Sequence, residues 1–154
     1  MNKKTISLIL LIIFVISLVL TVANVFLQDN INDENQNGTL TINNTTIHYE
    51  KSGKCLDVID GNTIQVYSVG RVQLSQVGVP DSKPGLSQAK KFVEDKCLGK
   101  TVYLDIDDKQ PKDKYGRTLA IVYTDSDDIN KGLLENNLAK ISYFEPSEFE
   151  KGKV

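Results

Sequence analysis

The sequence is poor in the residues from which most metal and redox centres are built, with one histidine and two cysteines in 154 residues. His48 has no Cys, Asp or Glu around it at the spacing that zinc sites use, so it reads as a surface residue. Basic excess is also missing: 18 Lys and Arg stand against 20 Asp and Glu, a formal net charge of −2. Two of those cations, Lys3 and Lys4, precede every other charge, leaving 16 against 20 beyond them, a net of −4. Nucleic-acid affinity is dominated by phosphate neutralisation. This balance therefore excludes a general electrostatic lure, and any nucleic-acid chemistry must come from a local site. Internal repeats are absent, and about 127 residues remain after the first 27, enough for one domain with one core.

What the chain does have begins with a long apolar run. Ile6 to Leu27 carries no charge, and about twenty apolar residues suffice to cross a bilayer as a helix. With Lys3 and Lys4 ahead of it, the positive-inside preference keeps the N-terminus in the cytoplasm and places everything after Leu27 outside. A cleaved signal peptide is the alternative, with Thr21-Val22-Ala23 as the cleavage site. The expected organisation is an anchor or signal segment over 1–27, a flexible polar linker over 28–50, a folded domain over 51–146 and a tail over 147–154. Gln28 to Asn44 is rich in Asn, Asp, Gln and Gly and reads as a solvated tether that buries nothing. It holds the sequons Asn37-Gly38-Thr39, Asn43-Asn44-Thr45 and Asn44-Thr45-Thr46. Cys55 and Cys97 both fall in the exported part, where disulfides persist, and the expectation is that they pair.

From Lys54 the pattern changes to short strands. Cys55 to Ile59, Thr63 to Ser68 and Arg71 to Val77 form a meander bounded by Gly and Asp-Gly corners. Ser87 to Leu98 reads as a helix, with Ala89, Phe92, Val93 and Cys97 on one stripe and Gly99 ending it at C′. Thr101 to Ile106 and Thr118 to Tyr123 are two more strands, Asn130 to Asn137 a second helix, and Leu138 to Tyr143 an extended segment. The fold class is therefore mainly β with helices (α+β): a five-stranded OB-fold barrel with two packed helices, preceded by one transmembrane helix. Within it, Asp60-Gly61-Asn62-Thr63 is an Asp-Gly corner with polar oxygens at its tip. These could meet a cation or a phosphate, and could equally be turn chemistry alone.

The order of motifs resembles the staphylococcal nuclease-like, or thermonuclease, family. The resemblance rests on Asp60-Gly61-Asn62-Thr63, Val77-Gly78-Val79-Pro80-Asp81, Asp113-Lys114-Tyr115-Gly116-Arg117 and Leu138-Ala139-Lys140, and covers Lys54 to Tyr143. It implies calcium-dependent hydrolysis of DNA and RNA phosphodiesters. A hard cation held by several oxygens polarises the phosphate, a carboxylate prepares the attacking water, and two guanidinium groups meet the developing charge.

Carried over position by position, the implied site is depleted. Asn62 stands where the family's turn has a metal carboxylate, beside Asp60, and Gly78 stands where a second one is expected. Val79 replaces the threonine beside it, Asp81 is a shortened base, and Gln73 holds the place of the first arginine. Arg117 alone keeps its catalytic identity, with Lys114, Tyr115 and Tyr143 at positions implied to meet the nucleotide. Arg71, two residues ahead of Gln73, reaches the site only if a bulge shifts the strand. The expectation is an extracytoplasmic, membrane-anchored domain with weak or no nuclease activity, weak or absent calcium binding, and a face for single-stranded nucleic acid or nucleotide. The alternatives are a calcium-dependent endonuclease using Asp60, Asp81 and Asp113 in a rearranged site, and a purely structural envelope domain. Tyr103, Tyr123 and Phe92 fit packing roles, and Phe144 to Phe149 has no assigned role.

Overall fold

The computed structural model describes residues 2, 6, 11–19 and 37–151. Residues 11–19 are helical (α1) and carry exposed apolar side chains. Most of the expected membrane span lies outside the described residues, and among those described no helix is long and apolar enough to cross a membrane. Residues 37–151 belong to a separate compact unit, Glu34–Val154.

Its centre is a closed barrel of β3 (Lys51–Asp60), β4 (Thr63–Val66), β5 (Gly70–Leu74), β7 (Thr101–Ile106) and β8 (Thr118–Tyr123), in the order β3-β4-β5-β8-β7. The meander β3-β4-β5 is antiparallel, β5 pairs with β8 in parallel, and β7 returns against β3. This is the five-stranded architecture expected from the strand order. Alternation supplies the core: Val58, Ile64, Val66, Val72, Leu74, Val102, Leu104 and Val122 are all within 1% of full burial. Helix α2 (Lys83–Cys97) packs Ala89, Val93 and Cys97 against the barrel, and α3 (Ile129–Glu135) adds Ile129 and Leu133.

Several elements differ from the sequence reading, each for a physical reason. Helix α2 starts at Lys83, four residues before Ser87, because Pro84 occupies the first turn, where its missing N–H is no loss. The third strand stops at Leu74. Ser75 and Gln76 then turn the chain into a short β6 (Val77–Gly78), which pairs with β9 (Lys140–Ile141), all that becomes strand of Leu138 to Tyr143. Inside the expected linker, β1 (Gly38–Ile42) and β2 (Thr45–Tyr49) form a hairpin. Asn43 and Asn44 close it at φ 48° and 65°, the left-handed conformation that two-residue hairpin turns demand. Ile42, with Leu40 and Ile47, covers Ile121 and Tyr123 on the outer face of β8, which is why these outward residues are buried as well as the inward ones.

The expected Cys55–Cys97 bridge is not present: both are free, buried thiols in the main core. They pack as small hydrophobes, and location in an oxidising compartment does not by itself supply the geometry a bridge requires. Burial pushes the Cys55 thiol up to about 11 and the Cys97 thiol up to about 12. At the Asp-Gly corner the aspartate bonds its own backbone as a turn residue does, while the glycine serves another purpose than a left-handed turn. Gly61 is not in the left-handed region; instead a Cβ there would stand 2.6 Å from Ala89 Cβ and 3.1 Å from Val79. The glycine lets α2 approach the turn.

Candidate functional site

The tip between β3 and β4, the start of β6 and the loop joining β7 to β8 meet at one end of the barrel. At the tip, the Asp60 side chain accepts the Asn62 backbone N–H at 2.9 Å, a local Asx turn. The Asn62 side-chain amide donates to Val77 O at 2.9 Å, tying the tip to β6. Gln73 lies opposite Thr63 in the β4–β5 ladder, and Thr63 Oγ1 donates to Gln73 Oε1 at 3.1 Å. That ladder runs without a shift, so Arg71 stays opposite Gln65, exposed, and does not take Gln73's place.

The charged loop is folded around Asp113. Its Oδ1 accepts the backbone N–H groups of Tyr115 at 2.9 Å and Arg117 at 3.0 Å, while Oδ2 accepts Arg117 Nε at 2.6 Å. Burial pushes the Asp113 carboxyl up, but these donors and the guanidinium outweigh it and hold it below the usual range. The ion pair in turn aims Arg117 Nη1 at Thr63 Oγ1, 3.4 Å away. A chain of hydrogen bonds therefore runs from Asp113 through Arg117 and Thr63 to Gln73. Gly116, at φ 78°, supplies the loop's left-handed position. Tyr115 is 72% exposed, with Lys114 Nζ 5.0 Å and Arg117 Cζ 5.4 Å from its ring centroid.

Asn62, Gln73, Gly78, Asp113 and Arg117 line one cleft of about 240 Å³. The structure thus brings together the residues the motifs singled out as metal-turn, lost-carboxylate and arginine positions. Asp81, exposed beyond β6, is not in its wall; nor are Asp60, Lys114 and Tyr115. Tyr143 lines a different hollow of about 500 Å³, with Lys109, Glu145, Pro146 and Ser147. Sequence reasoning missed Gln76, Gln110, Ser142 and Phe144, which line the cleft together with the apolar Leu74, Val77 and Leu119. Gln76 had a signal: it continues the inward parity of Val72 and Leu74 with a polar residue.

The donor set does not fit calcium. Asn62 offers only a neutral oxygen, its amide nitrogen being tied to Val77 O, Gly78 has no side chain, and one Asp60 oxygen is held by its own turn. Among the described residues no three His, Cys, Asp or Glu come together around a common point. Oxygen-site affinity follows ligand charge, so the cleft offers one guanidinium, its counter-ion and a ring of side-chain amides. That equipment suits holding a polar or anionic group.

The segment after β9 closes the same end of the molecule. Asp107, fully buried, accepts the N–H groups of Lys109 and Gln110 at 3.1 Å, the Ser147 hydroxyl at 2.5 Å and the Glu148 N–H at 3.1 Å. Gln76 Nε2 donates to Phe149 O at 2.7 Å. The tail is therefore docked on the charged loop and on the β5–β6 turn.

A family model described as staphylococcal nuclease homologue matches residues 71–154, just over half of the chain. The chain is 34% identical over 108 residues to the thermonuclease of Staphylococcus hyicus, covering 64% of this chain and 63% of the relative. It is 33% identical over 119 residues to endonuclease YncB of Bacillus subtilis (strain 168), covering 66% of this chain and 56% of the relative. The matched stretch thus spans less than two thirds of these relatives' own length.

Proposed function

From the premise that this chain belongs to the staphylococcal nuclease homologue family, we propose that it is a nuclease-type barrel that binds single-stranded nucleic acid or nucleotide with little or no metal-dependent cleavage. The observation that carries this reading is the neutral lining of the cleft. Where the resemblance calls for two metal carboxylates and a second arginine, Asn62, Gly78 and Gln73 face the cavity. Arg117 remains, oriented by Asp113, and one positioned guanidinium suffices to hold a phosphate or a base edge without activating water. No carboxylate in the wall is available as a base, because Asp113 is committed to Arg117. Anchoring at the membrane, with the barrel on the extracytoplasmic side, belongs to the same proposal, supported by the Ile6 to Leu27 run behind Lys3 and Lys4.

The names of the relatives, a thermonuclease and an endonuclease, favour a second reading in which a rearranged site still cleaves. One experiment separates the two. The full chain in detergent is mixed with single-stranded DNA, with and without millimolar calcium, beside Arg117→Ala. Salt-dependent binding without calcium, weakened roughly tenfold or more in the variant, with no cleavage, is the expected result. Calcium-dependent cleavage that vanishes in Arg117→Ala overturns it in favour of the second reading.

A further inference from the structure

Arg71 carries a charge that the cleft does not use. It is exposed, and it makes no hydrogen bond or ion pair among the described residues. A free surface cation is ordinary by itself; what distinguishes this one is its register. Ile64, Val66, Val72 and Leu74 are buried inside the barrel, so the alternate residues Thr63, Gln65, Arg71 and Gln73 share the opposite face of the β4–β5 ladder. Gln65 lies across from Arg71 and Thr63 across from Gln73, and Arg117 Nη1 stands 3.4 Å from Thr63 Oγ1. Arg71 is therefore one same-face step along β5, about 6–7 Å, from the rung that Arg117 reaches. Tyr67, just past the end of β4 and two residues beyond Gln65, continues the line and is 52% exposed. Its backbone N–H donates to Lys54 O at 2.9 Å, which sets Lys54 of β3 beside it. Lys54 is exposed as well, and neither its ammonium nor the Tyr67 hydroxyl has a partner among the described residues. Asp57, across Gln65 on β3, is an acid on this face, two strands or about 10 Å from Arg71.

We propose that the outer face of β4 and β5 continues the cleft as a track for single-stranded nucleic acid, in which Arg71 and Lys54 meet backbone phosphates and Tyr67 stacks on a base. The row begins at the cleft, since Arg117 and Gln73 line its wall. From Thr63 to Tyr67 it covers four residues, about 13 Å, the reach of a short extended strand. Spaced cations that follow a backbone, together with an exposed ring, are the equipment with which proteins hold single strands without reading their sequence. A general positive field is not needed: the exported part is acidic overall, and the free cations are concentrated on this line. A polyanion without bases would engage the cations and leave the ring idle. The inference rests on the reading of the cleft as a nucleotide site, and extends it from one nucleotide to a short strand.

Competition for a fluorescein-labelled octathymidylate, read by anisotropy on the full chain in detergent with EDTA, tests it. The competitors are unlabelled octathymidylate, an abasic octamer of the same charge, and thymidine monophosphate. Octathymidylate is expected to bind roughly tenfold or more tighter than the mononucleotide, because it adds phosphate and stacking contacts. Arg71→Gln should cut that advantage about threefold or more and lower the slope of log affinity against log salt by about 0.7, the loss of one phosphate contact on a single strand. Tyr67→Ala should weaken octathymidylate about fivefold or more, and the abasic octamer should fall short of octathymidylate by the same margin. Octathymidylate no tighter than thymidine monophosphate, or an Arg71→Gln affinity and salt slope equal to wild type, overturns the track and leaves the cleft reading standing. An abasic octamer that binds as tightly as octathymidylate also overturns it, since the face is then a general polyanion surface. Failure of both octathymidylate and thymidine monophosphate to bind overturns the cleft reading as well.

Discussion

At Asn62 one atom separates a structural turn from a metal turn. The amide nitrogen donates to Val77 O at 2.9 Å, and an aspartate would set an oxygen against that carbonyl. Asn62→Asp therefore replaces a hydrogen bond with a repulsion. Thermal melts without divalent ions should show a loss of about 1–3 kcal/mol, with calcium returning part of it. An unchanged Tm would show that the bond to Val77 does not hold the tip. Rebuilding the second ligand meets a different obstacle, because a Cβ on Gly78 would lie 3.0 Å from Ser142 Cβ. The tip and β6 have packed around the absence of carboxylates.

Among the elements, the β1–β2 hairpin and the docked tail are the additions to the barrel. Ile42 is 7% exposed and packs with Ile121 and Tyr123. Ile42→Ala should destabilise the domain by about 2 kcal/mol in denaturant unfolding, the low end for a buried isoleucine because the cluster is peripheral. If the hairpin contributes nothing, the midpoint will not move. The tail meets β7 at a cluster of acids. Burial, then the charges of Glu50, Glu148, Asp108 and Asp107, raise the Asp105 carboxyl from 3.8 to about 7. A folded-state value above the unfolded one means that stability is fully present below about pH 4 and is lost as pH rises through about 7. Wild-type Tm should fall across that window beyond any general trend, and Asp105→Asn should flatten the fall. Parallel pH profiles for the two proteins would count against the assignment.

For the whole molecule, the free cysteines mean that no covalent link holds the fold. Cys55 and Cys97 are fully buried and their thiols are raised to about 11 and 12, so at pH 8 neither thiolate is populated or accessible. A thiol reagent should label the folded protein only at the rate of global unfolding, and reductant should leave the Tm unchanged. Rapid labelling of either cysteine, or a Tm lowered by reductant, contradicts this. The barrel is held instead by one apolar core closed by α2 and α3.

The barrel was legible in the sequence because alternating apolar residues between Gly and Asp-Gly corners have few ways to hide their apolar face, and five such strands with two inserted helices close on themselves. The cleft was legible in part. Asn62, Gln73 and Arg117 lie on strand ends and a turn whose spacing the motifs fix. Gln76, Ser142 and Phe144 joined them through pairings such as β6 with β9, which link residues far apart in the chain. The same distance hid the hairpin's burial, since Leu40, Ile42 and Ile47 look like scattered apolar residues in a polar segment until β8 presents an outer face. The sequence by itself determined the strand order, a local property of residue identity and spacing, while the missing carboxylates are what its resemblance to the nuclease family implies. Only the tertiary structure decided that the cysteines stay free, that Asp113 is spent on Arg117, and that Gln76 is tied to Phe149 O, because each depends on where distant segments come to rest.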